Sequence, residues 1–141
     1  MTSIIILSTH FYTELLNQGV EAVSNWNFNK NRDLFSTEII LVPINLDQHW
    51  SLCAIYYANK IQVLAKSGPI HVNEGPFLMH LDSLTYHSAD TISRNIRMWL
   101  NYEWKKKISG FKGDILNPYN FKLIRPKGKF FMVTMKSSIV S

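Results

Sequence analysis

The sequence predicts an α+β fold in which a central sheet is flanked by helices. Three short apolar segments typical of strands lie between two segments whose apolar residues recur at helical spacing. The chain has 141 residues, 46% of them hydrophobic and 13% aromatic, enough for one domain with a substantial core. The predicted order is helix, strand, strand, strand, helix and a poorly specified region, in an α+β or mixed α/β layer arrangement.

The first predicted helix lies in residues 9–26. Gly19 is a weak helix former in the middle of this segment, so the pattern indicates either one amphipathic helix or two short ones. The residues at helical spacing are Phe11, Leu15, Val20, Val23 and Trp26. A polar connection over residues 27–38 leads to the strands.

The predicted strands are rich in β-branched and aromatic residues. Residues 39–45 form a continuous apolar run, which is typical of a strand buried on both faces. Residues 50–57 predict the second strand, and residues 77–84 a third that ends at Asp82. Between the second and third strands, the Gly and Pro residues of 66–76 predict a loop.

The clearest helical pattern lies in residues 87–107, with Ser88 as the expected N-cap. Its apolar residues at helical spacing are Ile92, Ile96, Trp99, Leu100 and Trp104. Asp90 in the first turn and three lysines in the last turn suit the helix dipole. Beyond Ile108 the periodicity decays, and residues 109–141 predict a divergent basic tail with at most one short strand, at Phe130–Val133.

Charge and composition argue against several classes of protein. Residues 1–100 hold six Lys/Arg and eight Asp/Glu, net −2, whereas residues 101–141 hold nine and two, net +7. Basic residues are not interleaved with stacking aromatics there, so a solvated tail is favoured over nucleic-acid binding, which stays the least favoured alternative. No apolar stretch approaches the ~20 residues of a membrane helix, and the N-terminal residues lack signal-peptide features. A single cysteine excludes an internal disulfide.

His49 and Cys53 suggest a cysteine nucleophile with its base, but their spacing argues against a pair. Four residues along a strand span about 13 Å, whereas a thiol and an imidazole must approach to about 3 Å. Cys53 lies in an apolar run and is predicted to be an inert core residue. His49 instead begins a strand, and Asp82 ends another, which is the arrangement of a base and the carboxylate that orients it.

Two other interpretations of these polar residues remain open from the spacing alone. His49 can be an ordinary histidine at a strand end, with Asp82 capping the turn that follows it. His80, Asp82 and His87 can also be read as metal ligands, but no further ligand clusters near them, and we predict no metal and no cofactor.

The segments DLFSTEIILVPINLDQHWSLCAI, HLDSL and WLNYEWKKK resemble the ubiquitin-like-protein-specific proteases. These cysteine peptidases of family C48, also called sentrin-specific proteases, remove SUMO from its conjugates, and the likeness is greatest to the branch with a long insertion between the His and Asp strands. The resemblance covers roughly residues 5–108. It implies a papain-like fold of the SUMO protease type, with His49 as catalytic base and Asp82 as its orienting residue. Trp50 would lie beside the channel for the substrate's C-terminal Gly-Gly.

The same resemblance implies that parts of the family's site are missing from these residues. The family's nucleophilic cysteine opens a central helix, and a glutamine shortly before it helps to hold the oxyanion. Here no cysteine follows residue 53 and no glutamine follows Gln62. We therefore expect residues 1–108 to be a partial catalytic domain without the nucleophile helix, in a truncated and inactive chain.

The resemblance also implies partners and a location. The expected partner is SUMO or another ubiquitin-like protein and its conjugates, and no membrane association is expected. The expected location is intracellular, with the nucleus favoured over the cytoplasm. The alternative is a noncatalytic fragment that binds SUMO or another partner through the retained surface.

Overall fold

A five-stranded sheet organises the residues that the computed structural model describes, which are 2–24, 33–67 and 75–126. The strands are β1 (Ile4–Ile6), β2 (Ile39–Leu46), β3 (His49–Tyr56), β4 (Phe77–Leu81) and β5 (Lys122–Ile124). Their order in the sheet is that of the chain. Neighbouring strands from β2 to β4 are antiparallel, while β1 and β5 add to the two edges in parallel.

The helices are α1 (Phe11–Gln18), α2 (Val20–Ser24), α3 (Ile61–Ser67) and α4 (Ala89–Lys107). Gly19 separates α1 from α2 with a φ of 88°, so the two-helix alternative is confirmed there, while Trp26 lies outside the described residues. Ser88 caps α4 as predicted, because its Oγ accepts the Thr91 N–H at 3.3 Å. No helix among the described residues is both long enough and apolar enough to cross a bilayer.

One face of the sheet carries the main core. Cys53 lies opposite Val42 on one side and His80 on the other, and residues directly opposite each other share a face. Helices α1 and α4 cover this face, with the rings of Phe11 and Trp99 edge to face at 4.7 Å. The opposite face carries a smaller cluster made of Met79 and Leu81, with Leu52, Tyr56 and Phe77 packed against them.

The middle of β2 is covered on both faces, as its continuous apolar pattern predicted. Ile40 and Val42 are fully buried in the main core, and Leu41 between them is 3% exposed. Strand β1 was not predicted, because three residues are too short to show a period and their partner strand lies 35 residues away.

Residues 109–126 are more ordered than the predicted tail. Ile115, Leu116 and Phe121 are buried in the main core, and β5 pairs with β4. The Asn101 side chain fixes this segment, since Nδ2 donates to the Leu116 carbonyl at 3.1 Å and Oδ1 accepts the Leu116 N–H at 2.8 Å. The strand predicted at Phe130–Val133 lies outside the described residues.

Candidate active site

A two-residue turn places His49 at the start of β3. Asp47 and Gln48 join β2 to β3, and both have a positive φ, 53° and 61°. This is the backbone geometry of a tight hairpin turn whose twist matches that of the strands. Leu46 pairs with His49 across the turn. The side chain of His49, 18% exposed, therefore lies at the end of the sheet.

Asp82 follows the last residue of β4, and its side chain is only 3% exposed. Its Oδ1 lies 2.7 Å from His49 Nε2 and accepts the Leu84 N–H at 3.2 Å, while Oδ2 accepts the His87 N–H at 2.7 Å. Burial alone raises the pKa of Asp82, but these hydrogen bonds outweigh it and hold the pKa below its ordinary value. Asp82 is therefore a carboxylate at neutral pH.

The contact with Asp82 decides which nitrogen of His49 is available as a base. A carboxylate can only accept, so Nε2 of the neutral imidazole carries the hydrogen and donates it to Asp82. The lone pair is then on Nδ1, which has no hydrogen-bond partner within residues 2–24, 33–67 and 75–126. An imidazole oriented in this way can accept a proton from a thiol placed at Nδ1.

Two rings from the loop between β4 and α4 pack against His49. The ring of Tyr86 lies 5.3 Å from the His49 ring and the ring of His87 lies 4.9 Å away, measured between centroids. Thr85, with a φ of 50°, ends a turn in which its N–H donates to the Asp82 carbonyl oxygen at 3.1 Å. These contacts fix the plane of the imidazole in addition to the hydrogen bond that His49 donates to Asp82.

A buried polar chain lies beside the His49–Asp82 pair. His80 Nε2 lies 3.0 Å from Ser51 Oγ, Ser51 Oγ lies 2.7 Å from His87 Nδ1, and His87 Nε2 lies 3.0 Å from the Leu46 carbonyl oxygen. The role of Ser51 was not predicted from the sequence. The available signal was a polar residue in an apolar strand, two positions from His49 and so on the same face, because buried polar groups need partners.

The metal interpretation of His80, Asp82 and His87 is not the arrangement that the structure shows. Ligand-type atoms of His49, Asp82 and His87 do lie within 4.8 Å of one another. However, His49 Nε2 and Asp82 Oδ1 are 2.7 Å apart, closer than the ~3.3 Å that separates two ligands of a tetrahedral zinc ion. Both ring nitrogens of His87 are also engaged in hydrogen bonds.

Trp50 lies next to His49 in β3 and projects to the opposite face of the sheet, as neighbouring strand residues do. The residue is 55% exposed. Tryptophan is enriched among the residues that dominate the energy of protein–protein contacts. Trp50 is thus accessible to a partner, but it is not part of the hydrogen-bonded network around Asp82.

Cys53 is fully buried in the main core. Burial raises the pKa of its thiol to about 12, with only a small opposing effect of Arg97. A thiol in this setting is not ionised at neutral pH and is not a nucleophile. The prediction that Cys53 is an unreactive residue of the core is therefore confirmed.

Comparison with known sequences agrees with the resemblance noted above. Residues 1–126 match the sequence model of the "Ulp1 protease family, C-terminal catalytic domain". Sentrin-specific protease 2 of Pongo abelii is 48% identical over 101 residues, 71% of this chain and 17% of that protein. Ubiquitin-like-specific protease 1D of Arabidopsis thaliana is 35% identical over 75 residues, 53% of this chain and 11% of that protein. The chain thus spans less than a fifth of either relative.

Solved structures show the same fold. The crystal structure of a de-sumoylating protease superposes with a TM-score of 0.67 at 22% identity, over 89% of this chain and 43% of that chain. The C-terminal Ulp1 protease domain in complex with Smt3, the yeast ortholog of SUMO, gives a TM-score of 0.59 at 21% identity, over 99% of this chain and 58% of that chain. The predicted α+β fold of the SUMO protease type is confirmed, over about half the length of these solved chains.

Proposed function

The chain belongs to the Ulp1 protease family, and from that premise we propose that it carries the base half of a cysteine isopeptidase site acting on SUMO-type conjugates. In this proposal His49 is the general base and Asp82 orients it. Trp50 contacts the C-terminal residues of the ubiquitin-like substrate. The observation that carries the proposal is the 2.7 Å contact between His49 Nε2 and Asp82 Oδ1.

That contact supports the proposed roles through the chemistry of the imidazole. With Nε2 committed to a carboxylate, Nδ1 is the proton acceptor, and the negative charge of Asp82 stabilises the imidazolium that forms when a thiol gives up its proton. The thiolate then attacks the carbonyl carbon of the diglycine terminus, and the imidazolium protonates the departing lysine amine. His49 thus carries both proton transfers of acylation, while Asp82 orients its ring and stabilises its charged form.

The nucleophile of this site is not among the 141 residues. Cys53 is their only thiol, and it is buried about 13 Å from His49 along the same strand. Because His49 has no thiol to activate within these residues, we propose that the polypeptide by itself forms no acyl-enzyme. A cysteine nucleophile is supported by the SUMO protease Ulp1, a solved structure of similar fold whose description names a catalytic cysteine.

Two measurements on the purified 141-residue chain test the proposal. A SUMO propargylamide probe should leave the chain unlabelled, and labelling at Cys53 would contradict the assignment of the nucleophile. SUMO should nevertheless bind in calorimetry, with Trp50→Ala weakening affinity at least about tenfold, a loss of about 1.4 kcal/mol. Tyr119→Ala is the matched control, since Tyr119 is 84% exposed and should leave affinity unchanged.

The second candidate function is SUMO binding without catalysis, which the exposed Trp50 and the lack of an ionisable thiol both favour. The same titration addresses it, because binding that depends on Trp50 in an unlabelled chain is the pattern of a binder. Failure of SUMO to bind would remove both functions. We further propose an intracellular, mainly nuclear location, which imaging of a fluorescent fusion tests; this follows from the family alone.

A further inference from the structure

The side chain of His87 connects the two segments that carry His49 and Asp82. Its Nε2 lies 3.0 Å from the carbonyl oxygen of Leu46, the residue that pairs with His49 across the hairpin turn. The backbone N–H of the same residue donates to Asp82 Oδ2 at 2.7 Å. One residue thus bonds to the hairpin through its ring and to the carboxylate through its backbone.

The direction of the hydrogen bonds around His87 follows from the chemistry of its partners. The Leu46 carbonyl can only accept, so His87 Nε2 carries the hydrogen. In the neutral ring Nδ1 is then an acceptor, and it takes the hydroxyl hydrogen of Ser51. The Ser51 oxygen in turn accepts the Nε2–H of His80. Three consecutive hydrogen bonds are thus donated in one direction, from His80 to Ser51, from Ser51 to His87 and from His87 to the Leu46 carbonyl.

Burial makes this arrangement costly to change. The His87 side chain is 3% exposed, and burial lowers the pKa of His80, which keeps that ring neutral as the chain of donors requires. A buried donor or acceptor left without its partner is destabilising, because its lost hydrogen bonds to water are not replaced. The ring of His87 therefore has one favoured position and one favoured tautomer, and its backbone N–H is held in place beside Asp82.

We propose that His87 is a positioning residue that holds Asp82 at hydrogen-bond distance from His49 by tying the loop after β4 to the end of β2. The proposal rests on the proposed role of His49 as base, and it adds a residue that touches neither substrate nor thiol. Its ring also packs on the His49 ring, so that both the carboxylate and the ring plane depend on it. Without the hydrogen bond from His87 to Leu46, the loop after β4 can move and the Asp82 carboxylate is displaced from His49 Nε2.

The test is nitrogen-15 NMR of the histidine side chains in the 141-residue chain at neutral pH. In the unchanged protein we expect His49, His80 and His87 all as the Nε2–H tautomer, with a slowly exchanging Nε2 proton on His49. In His87→Phe, which keeps the ring volume but not its hydrogen bonds, we expect His49 to become a mixture of tautomers with a rapidly exchanging proton. An unchanged His49 signature in this variant overturns the proposal.

Two more variants keep the test decisive if His87→Phe does not fold. His87→Gln places an amide donor near the position of Nε2 and should keep the tie to Leu46 and the His49 signature. His87→Asn places its amide only near the position of Nδ1 and should lose both. If His49 shows the same tautomer and the same proton exchange in His87→Gln and His87→Asn, the proposal is overturned. Tyr86→Leu is the matched control, because Tyr86 contacts the His49 ring without bonding to Asp82, and it should keep the Nε2–H tautomer.

This experiment is independent of substrate. If SUMO does not bind or the base role of His49 is wrong, the tautomers still report whether His87 positions Asp82. If substitution of His87 leaves the His49 tautomer unchanged while SUMO still binds, only the positioning role of His87 is contradicted.

Discussion

His49 and Cys53 lie on the same face of the same strand, four residues apart, yet their chemistry is opposite. His49 begins β3, is 18% exposed and has a carboxylate 2.7 Å from its Nε2. Cys53 is in the middle of the strand, is fully buried, and has a pKa raised to about 12. At the end of a strand a polar side chain can meet residues from loops, whereas in the centre it meets only the core. Position along a strand therefore decides which of two reactive residue types can react.

The reactivity of Cys53 is the largest effect expected from this comparison. Modification of a buried thiol requires the chain to open, so a disulfide reagent should react with native Cys53 at least about a thousand times more slowly than with the chain in denaturant. The measurement is the rate of thiol modification in buffer and in guanidinium chloride. A native rate within tenfold of the denatured one would falsify the assignment of Cys53 to the core.

Asp82, the carboxylate that bonds to His49, is expected to contribute strongly to stability. Asp82→Ala removes the acceptor of three hydrogen bonds and leaves the buried His87 N–H unsatisfied, which should cost about 3 kcal/mol of unfolding free energy. Asp114→Ala is the control, because its exposed ion pair with Lys105 should contribute less than about 1 kcal/mol. Similar losses in urea melts of both variants would contradict the model of a buried, multiply bonded carboxylate.

A pH dependence follows from His80. Burial lowers its folded-state pKa below 6.5, with the charge of Asp82 opposing this only in part. The neutral ring is favoured on folding, so its contribution is fully present above pH 6.5 and is lost as the pH falls through the folded pKa, by up to about 1.4 kcal/mol per unit. Asp82, whose pKa is lowered from 3.8, loses its contribution only at lower pH.

His80→Gln separates this effect from the others. The amide keeps a donor for Ser51 but does not titrate, so unfolding free energy should decline less between pH 7 and pH 5 than in the unchanged chain. Chemical unfolding at both pH values measures the difference. An equal decline in the two proteins would assign the pH dependence to another group.

The smallest expected effect concerns Trp50. Because the side chain is 55% exposed, Trp50→Ala should change the unfolding free energy by less than about 0.5 kcal/mol. Trp99, which is fully buried against Phe11, is the matched comparison, and Trp99→Ala should cost about 3–5 kcal/mol. A large loss of stability in Trp50→Ala would show that this residue packs in the folded chain and is not free to contact a partner.

The sequence predicted most of what depends on long local patterns. The apolar spacing and N-cap of α4 and the apolar run of β2 gave both elements with nearly their observed bounds. Strand β5 was not predicted at its position. The chain that leads to it is held at Leu116 by the Asn101 side chain, a contact between residues 15 positions apart that leaves no local pattern. Helix α3 was not predicted either, since seven residues offer barely two turns of periodicity.

Within the candidate site, the predictable part was the pair of residue types at strand ends. Their positions after a turn and after an apolar strand suggested His49 and Asp82 as a pair, and the family resemblance assigned their roles. The structure places the two side chains 2.7 Å apart. Ser51 was missed and His87 was considered only as a ligand, because their roles depend on hydrogen bonds between residues 36 positions apart. Hydrogen bonds between residues so far apart in the chain produce no repeating pattern in the sequence.

The turn at Asp47 and Gln48 has a consequence for how this region can vary between relatives. A hairpin with two residues in its turn has a fixed register, and side chains alternate faces with a period of two. Deleting one residue here while the turn keeps two residues would pair Trp50 with Leu46 and put an indole where the imidazole now meets Asp82. Changes of length are therefore tolerated far less here than substitutions.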